Sequence, residues 1–572
     1  MIANTFRKLK IILSENDQKK MYIFLFLSLF SMILEILSVG LIIPLLNSLV
    51  SNDINLNFLK IFEELTIIQI VITLLIVYSL KAIFLTFFSY LETDFLANVR
   101  ANLSNILFKL YINRPYDFHL KNNTSKLIRN ISETNLLILV MKSLISLTNE
   151  FLVMMGISLF IVFFQPKISI FVVFFLGLIG FLFYKIVQKK IKLWGKIRTQ
   201  TSAKLVKIQN ESFRLIKEIK ILNRAKNIID KFIFDNRKIV HSESKHSFTS
   251  SLPRLWLEWL VINTFLTSIL FMFLSGKNLS EIIVIIGVFT AAAFRIMPSL
   301  TRIMNSLHSI LYHQTVLDNI SGEIKNLGKE KNNILTKSSS TDERLKKDLV
   351  HVNNVDVSNL EFYYDKSHKI FDSTSIKLEK GNIYGICGAS GIGKSTFINL
   401  LLGFLKPTKG KIKFNDINIF ENLRTWRDNI GFVPQEIFLF DGSILENILL
   451  HISENKIDNH KLESALVNSN LQSFIKNLPE GLNTNIGEFG DKISGGQKQR
   501  IGIARAIFNN PKVLILDEFT SSLDIKNEKK ILEEISHLKK DKIIIIISHK
   551  ISTLSHCDRI FKIENQTLVQ SN

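Results

Sequence analysis

Gly388-Ala389-Ser390-Gly391-Ile392-Gly393-Lys394-Ser395 is the stretch that decides the fold of the second half of this 572-residue chain. It fits the phosphate-binding pattern GxxxxGKS/T. The glycines let successive backbone N–H groups curl around a phosphate, and the following helix adds its positive N-terminal dipole. The context is right: an apolar run, Ile383–Cys387, reads as the strand before it, and Thr396–Leu402 as the helix after it. Lys394 is expected on the β- and γ-phosphates and Ser395 on Mg²⁺. Gly388, Ser390, Gly391, Gly393 and Thr396 complete the contacts. From Val350 onward, short β-branched runs alternate with amphipathic stretches, which predicts an α/β domain with a largely parallel sheet.

Two further stretches belong with this loop. Val513-Leu514-Ile515-Leu516-Asp517-Glu518 reads as a buried strand ending in two carboxylates. Asp517 is placed to hold Mg²⁺ through water, and Glu518 to polarise an attacking water. Between the two lies Ile493-Ser494-Gly495-Gly496-Gln497.

The first half is different in kind. Of the whole chain, 47% is hydrophobic, with 44 Phe, and the mean hydropathy is +0.23, which excludes disorder over most of its length. Six stretches have the length and composition to cross a bilayer: Met21–Leu46, Thr66–Leu91, Leu137–Phe164, Ile168–Ile186, Leu255–Leu274 and Ile282–Met304. Met1 to Lys20 is polar and charged, and the apolar run after it is too long for a signal peptide, so a retained anchor is expected. The net charge of +21 concentrates between alternate spans, with Arg100, Lys109, Arg114, Lys189, Lys190 and Lys192 among them. By the positive-inside rule both termini are cytosolic, which accounts for the basicity without nucleic acid. The cytosolic connections keep helical periodicity, as in Phe95–Leu110 and Leu205–Ile221. Two cysteines, Cys387 and Cys557, exclude a disulfide scaffold and point to a reducing compartment. The expected domains are 1–320 in the membrane, a polar linker 321–349, and a nucleotide-binding domain 350–572.

The motifs together resemble the ABC transporter superfamily. Ile493–Gln497 is similar to its LSGGQ signature, with Ile for the first Leu. The resemblance implies a membrane all-α domain of six transmembrane helices in the ABC exporter fold, plus an α/β P-loop nucleotide-binding domain. It also implies roles for single residues. Tyr364, with Tyr363 as the alternative, would stack on adenine, and Gln435 would contact Mg²⁺. Ser521-Ser522-Leu523-Asp524 resembles the D-loop, and His549 the switch histidine on the γ-phosphate. Gly487-Glu488-Phe489-Gly490 resembles the exporter X-loop. Coupling helices are implied near 114–131 and 212–221. Because Ser494, Gly495, Gly496 and Gln497 of such proteins meet ATP held by the opposite nucleotide domain, one such domain per chain implies a homodimer using ATP and Mg²⁺.

Charges inside spans are candidate cargo contacts. Lys81 and Arg295 fall at similar depths, and Arg254 at the mouth of the fifth span, so all three are candidates for a pyrophosphate. The alternative is that they pair with Glu35, Glu150 or Glu258. Ile54–Leu65 alternates as an amphipathic segment for the outer interface. The stretches Leu252-Pro253-Arg254-Leu255-Trp256-Leu257-Glu258 and Phe294-Arg295-Ile296-Met297-Pro298-Ser299 resemble PglK-type lipid-linked oligosaccharide flippases and their lipopolysaccharide-precursor relatives. This implies ATP-driven flipping of polyprenyl-pyrophosphate-linked oligosaccharide across a bacterial cytoplasmic (inner) membrane. Rivals are export of lipid A, peptides or multiple drugs by the same fold, and a membrane-anchored P-loop ATPase that transports nothing.

Overall fold

The computed structural model describes residues 2–42, 44–45, 66–164, 166–274, 279–335, 352–365, 368–450, 452, 457–520 and 525–571. They form two compact units, which are described separately.

The first unit is built of helices, with no strand among its described residues. Its helices are α1 (Ile2–Ile12), α2 (Glu15–Gly40), α3 (Ile67–Ile112), α4 (Tyr116–Lys121), α5 (Thr124–Ser132), α6 (Thr134–Phe164), α7 (Pro166–Arg214), α8 (Ile216–Ile221), α9 (Ala225–Leu274), α10 (Leu279–Tyr312) and α11 (Gln314–Leu335). The second to sixth sequence-predicted spans fall in α3, α6, α7, α9 and α10. Of the first, Met21–Gly40 lies in α2, and its end at Leu46 lies outside the described residues. Among the described residues, three helical stretches are long and apolar enough to cross a membrane: Glu15–Gly40, Ile67–Ile112 and Thr124–Phe163. In α3 Ile68, Leu75 and Ile83 are exposed, an apolar surface that a lipid tail can cover but water cannot.

Several helices greatly exceed a span. Helices α3, α7 and α9 have 46, 49 and 50 residues. At ~1.5 Å per residue each runs about 70–75 Å, more than twice a bilayer core of ~30 Å. A capping box starts α3: Thr66 accepts from the Gln69 amide, and the Gln69 side chain accepts from the Thr66 N–H. Helix α9 carries Pro253 and α10 carries Pro298 in their interiors, where each ring removes one backbone hydrogen bond. Against α6, α2 packs so closely that a Cβ on Gly156 would lie 2.7 Å from Ile36 and 2.8 Å from Met32.

One element was not anticipated, and two details differ from the sequence expectation. The charged N-terminus is a helix, because Leu9 and Ile12 are buried on one face of α1 and Lys8 reaches Asp318 at 2.7 Å. The expected continuous helix over 205–221 is interrupted at Leu215, whose φ/ψ of −97°/23° separates α7 from α8. Residues 321–335 of the expected linker are helical, since α11 runs to Leu335. The outer segment Ile54–Leu65 lies outside the described residues.

The second unit comprises Leu335–Asn572 with Pro115–Asp117, so the first two residues of α4 belong to it, and within it Tyr116 stacks on Phe404 at 4.8 Å. An antiparallel sheet has the order β2-β1-β4-β5, from strands Asn354–Asp365 (β1), His368–Glu379 (β2), Lys409–Phe414 (β4) and Ile417–Asn418 (β5). The main sheet has the order β10-β9-β3-β8-β7-β6. Its strands are Ile383–Cys387 (β3), Ile430–Val433 (β6), Val513–Asp517 (β7), Ile543–Ile547 (β8), Arg559–Glu564 (β9) and Thr567–Ser571 (β10). All neighbours in it are parallel except β9 and β10. Apolar residues fill both faces of β7 and β8: Val513, Ile515, Ile543 and Ile545 join one core, Leu514, Leu516, Ile544 and Ile546 the other. A parallel sheet buried on two sides needs such an unbroken apolar run, which Ile543–Ile547 supplies as five isoleucines.

Candidate functional site: a phosphate-binding centre at the strand ends

Register brings the motifs together. Ile386 of β3 pairs with Ile547 of β8, Ile547 with Asp517 of β7, and Leu516 of β7 with Val433 of β6. The phosphate loop, His549, Asp517-Glu518 and Gln435 therefore all emerge at the carboxyl ends of four adjacent parallel strands. That is where open α/β sheets bind ligands. Main-chain bonds hold the edge: Glu518 N donates to Ile547 O at 2.9 Å, and Ser548 N to Ile386 O at 3.2 Å.

The phosphate loop leads from β3 into α12 (Lys394–Leu401), whose N-cap Gly393 has φ +119° and no side-chain cap. A Cβ there would lie 2.7 Å from Ile370, so glycine is required twice over, by dihedral and by space. The uncapped N–H groups of this helix face the loop as anion donors. Lys394 Nζ donates to the carbonyls of Gly388 (2.8 Å) and Ala389 (3.2 Å), a geometry that folds the ammonium over the loop. Tyr364 in β1 is 52% exposed and its hydroxyl pairs with Thr396 Oγ1 at 3.2 Å, so its ring borders the loop. Tyr363 is held elsewhere, donating to Glu361 at 2.8 Å with Lys369 over its ring.

Glu518 is the centre of the polar contacts. Gln435 Nε2 donates to Glu518 Oε2 at 2.8 Å, and His549 Nδ1 lies 3.4 Å from Glu518 Oε1. Its φ is +44°, a left-handed conformation that costs a non-glycine residue about 1 kcal/mol and is typical of a strained working position. Burial pushes the neighbouring Asp517 carboxyl up to about 6, the Glu518 charge adds to this, and Lys394 opposes it. Among the described residues no cluster of three His, Cys, Asp or Glu forms a metal cage. The available donors are instead oxygens: the Ser395 hydroxyl, the Asp517 carboxylate and the Gln435 amide. Such a sparse, hard set fits Mg²⁺, which keeps waters and substrate phosphates in its remaining positions.

Ser494 is the N-cap of α13 (Gly495–Ile507), in a capping box with Gln497. The box bonds are 3.3 Å from the Gln497 amide and 2.8 Å from Ser494 N to Gln497 Oε1. Gly495 and Gly496 form its first turn. In the Gly487–Gly490 segment, Phe489 sits at φ +55° and packs edge-on against Phe438 at 5.6 Å. Residues 521–524, Asp524 among them, lie outside the described residues. Helix α14 (Ile525–Leu538) follows them and carries Glu528, which the sequence reading did not single out.

The in-span cations are already engaged. Lys81 donates to Glu35 at 2.8 Å, and Arg295 lies 2.9 Å from Glu35 and 3.7 Å from Glu150. Glu150 also accepts from Ser299 at 2.6 Å and from Arg302 at 2.5 Å. Glu35 and Glu150 are only 1% and 3% exposed, so this lattice is a buried one joining α2, α3, α6 and α10. Arg254 is exposed and pairs with Glu258 one turn on, at 2.9 Å.

A P-loop domain of the phosphate-binding class, in one chain with long membrane-type helices, is what these units define. Residues 371–521 match the ABC transporter family, and the chain thus carries an ABC transporter domain. Among solved structures it is similar to a bacterial Atm1-family ABC exporter with ATP bound, at a TM-score of 0.76 over 97% of this chain and 95% of that one. At 17% identity this likeness establishes the fold: that of an ABC exporter, with a helical transmembrane domain and a nucleotide-binding domain. Among curated proteins, putative multidrug export ATP-binding/permease proteins of Staphylococcus aureus strains NCTC 8325 / PS 47 and COL are each 42% identical over 219 residues. That alignment spans 38% of this chain and 38% of theirs, so it covers about two fifths of the relatives' length.

Proposed function

We propose that the chain is one half of a homodimeric, ATP-driven exporter in a bacterial cytoplasmic membrane, with both termini and the nucleotide domain in the cytosol. The observation that carries this is the convergence of Lys394, Asp517, Glu518, Gln435 and His549 at four adjacent strand ends. In this reading Lys394 and the loop amides hold the β- and γ-phosphates, and Tyr364 supports the adenine. Glu518, oriented by Gln435 and His549, takes the proton of the attacking water. Ser395, Asp517 and Gln435 hold Mg²⁺, which neutralises charge on the transferring phosphate. Ser494 and Gly496 of a second copy complete each site, together with Asp524.

The cargo we favour is an amphipathic molecule without a strong anionic head, as for a multidrug exporter. Two supports stand behind this: Glu35 and Glu150 occupy Lys81 and Arg295, and the curated relatives are named as multidrug exporters. The lipid-linked oligosaccharide reading keeps one specific support. Three cations, Lys81, Arg295 and Arg302, meet two carboxylates, and Arg302 is 54% exposed, a guanidinium open to a pyrophosphate. Proteoliposomes decide between them. Mg-ATP-dependent movement of a lipophilic cationic dye without movement of labelled polyprenyl-pyrophosphate glycan supports the first, and the converse supports the second. Hydrolysis with neither moved, nor lipid A nor peptide, leaves the non-transporting anchored ATPase.

A further inference from the structure

Glu528 is a charged side chain only 5% exposed, four residues into α14, and the roles given above do not use it. A buried carboxylate persists only where donors replace the lost water. Its donors all come from the segment just after His549: Thr553 Oγ1 at 2.6 Å, Ser552 Oγ at 3.2 Å and Lys550 Nζ at 3.3 Å. Lys550 Nζ also donates at 2.8 Å to the carbonyl of Thr520, two residues beyond Glu518. The ring of contacts closes where the Thr520 and Thr553 hydroxyls meet at 3.2 Å. Burial raises the Glu528 carboxyl, but the Thr553, Lys550 and Ser552 contacts outweigh it and hold it below the usual glutamate range. The segment opens a one-turn helix, Ile551–Leu554, with Thr553 buried, while the His549 side chain and Ile551 are both largely exposed.

We propose that Glu528 is a positioning residue for ATP hydrolysis, clamping the His549–Thr553 segment to the Glu518–Thr520 segment so that His549 and Glu518 keep their mutual geometry. The inference rests on the ATPase reading above. Glu528 makes no contact with the reacting groups; it binds the His549–Thr553 segment directly and reaches Thr520 only through Lys550 and Thr553. A carboxylate suits this place better than an amide, because all three partners donate and a carboxylate offers only acceptors. A glutamine would turn its NH₂ toward at least one of them.

The test is steady-state Mg-ATP hydrolysis by the full-length protein in proteoliposomes. Displacements near 1 Å at a catalytic group cost up to ~10²-fold, so Glu528→Ala is expected to lower kcat about 30- to 100-fold while KM for Mg-ATP stays within about threefold. Glu528→Gln and Lys550→Met, which keep the shape of the site, are expected to lose about tenfold each and serve if the alanine variant does not fold. Residues acting as one unit are non-additive, so Glu528→Ala added to His549→Ala is expected to slow that variant by no more than about twofold. A folded Glu528→Ala protein with kcat within twofold of wild type overturns the proposal. So does full multiplication of the two losses in the double variant, which marks a general loss of stability. Failure of the underlying reading looks different: wild-type protein without hydrolysis, or Glu518→Gln as active as wild type, removes the ATPase assignment itself.

Discussion

At the scale of single residues, Glu518 and Asp517 are adjacent carboxylates in unlike surroundings. Glu518 receives Gln435 and faces His549, which suits a group that takes a proton from water. Glu518→Gln is expected to lower hydrolysis ~10²-fold or more while Mg-ATP binding persists, as read by nucleotide retained on the protein beside phosphate release. Asp517 instead holds its proton in the free protein up to about pH 6. With the folded-state value raised above the unfolded one, the folded state binds more protons between about pH 4 and 6, so stability falls as pH rises through that window. A cation must displace that proton. Mg-ATP binding should therefore tighten as pH rises through 6, releasing about half a proton at pH 6 and almost none at pH 8. Calorimetry in two buffers of different ionisation heat measures this, and Asp517→Asn should abolish the release. These residues are legible in sequence because phosphate chemistry fixes their types and local spacing. Glu528 is not: its partners lie 22 to 25 residues away, and Lys526, Lys529 and Lys530 around it make the stretch read as a solvated face.

At the scale of elements, hydrophobic length was enough to place the second to sixth predicted spans in α3, α6, α7, α9 and α10, and Met21–Gly40 of the first in α2, but not the other helices of the first unit. Periodicity fails where charge hides it. Helix α1 buries Thr5, Leu9 and Ile12 at helical spacing, yet its lysines and arginine give it the composition of a tail. The pairing of Lys81, Arg254 and Arg295 with Glu35, Glu150 and Glu258 is the alternative the sequence offers and is what forms. Arg302 is not singled out by the sequence, since its partner lies on another helix and only the fold brings them together. Breaking a buried pair from one side costs about 3–5 kcal/mol because the remaining charge is stranded. Glu35→Gln strands Lys81 and Arg295, both largely buried. Glu150→Gln strands mainly Arg302, which can turn to water. Thermal unfolding in detergent is accordingly expected to show the larger loss for Glu35→Gln. Equal losses would mean the two carboxylates bear the same load.

At the scale of the whole molecule, the proposed exporter reading calls for two copies of the chain. The Ser494 cap and the Lys394 loop are expected to close on one ATP only from two different copies. Purified protein should run at twice the 65.7 kDa of one chain, apart from bound detergent. In a Glu518→Gln background, ATP should survive gel filtration at one per chain, and adding Ser494→Ala should release it. Retention unchanged by that second substitution would place the signature outside the site. Pro253 falls near the middle of α9, with 28 residues before it and 21 after it in a helix of 50. A rod of about 75 Å with a weak point at its centre is a hinge, so a ~5° bend there moves one tip by about 3 Å while the other half stays still. Each half can then take its own tilt, whereas an unbroken rod of that length would carry every swing of one tip to the other.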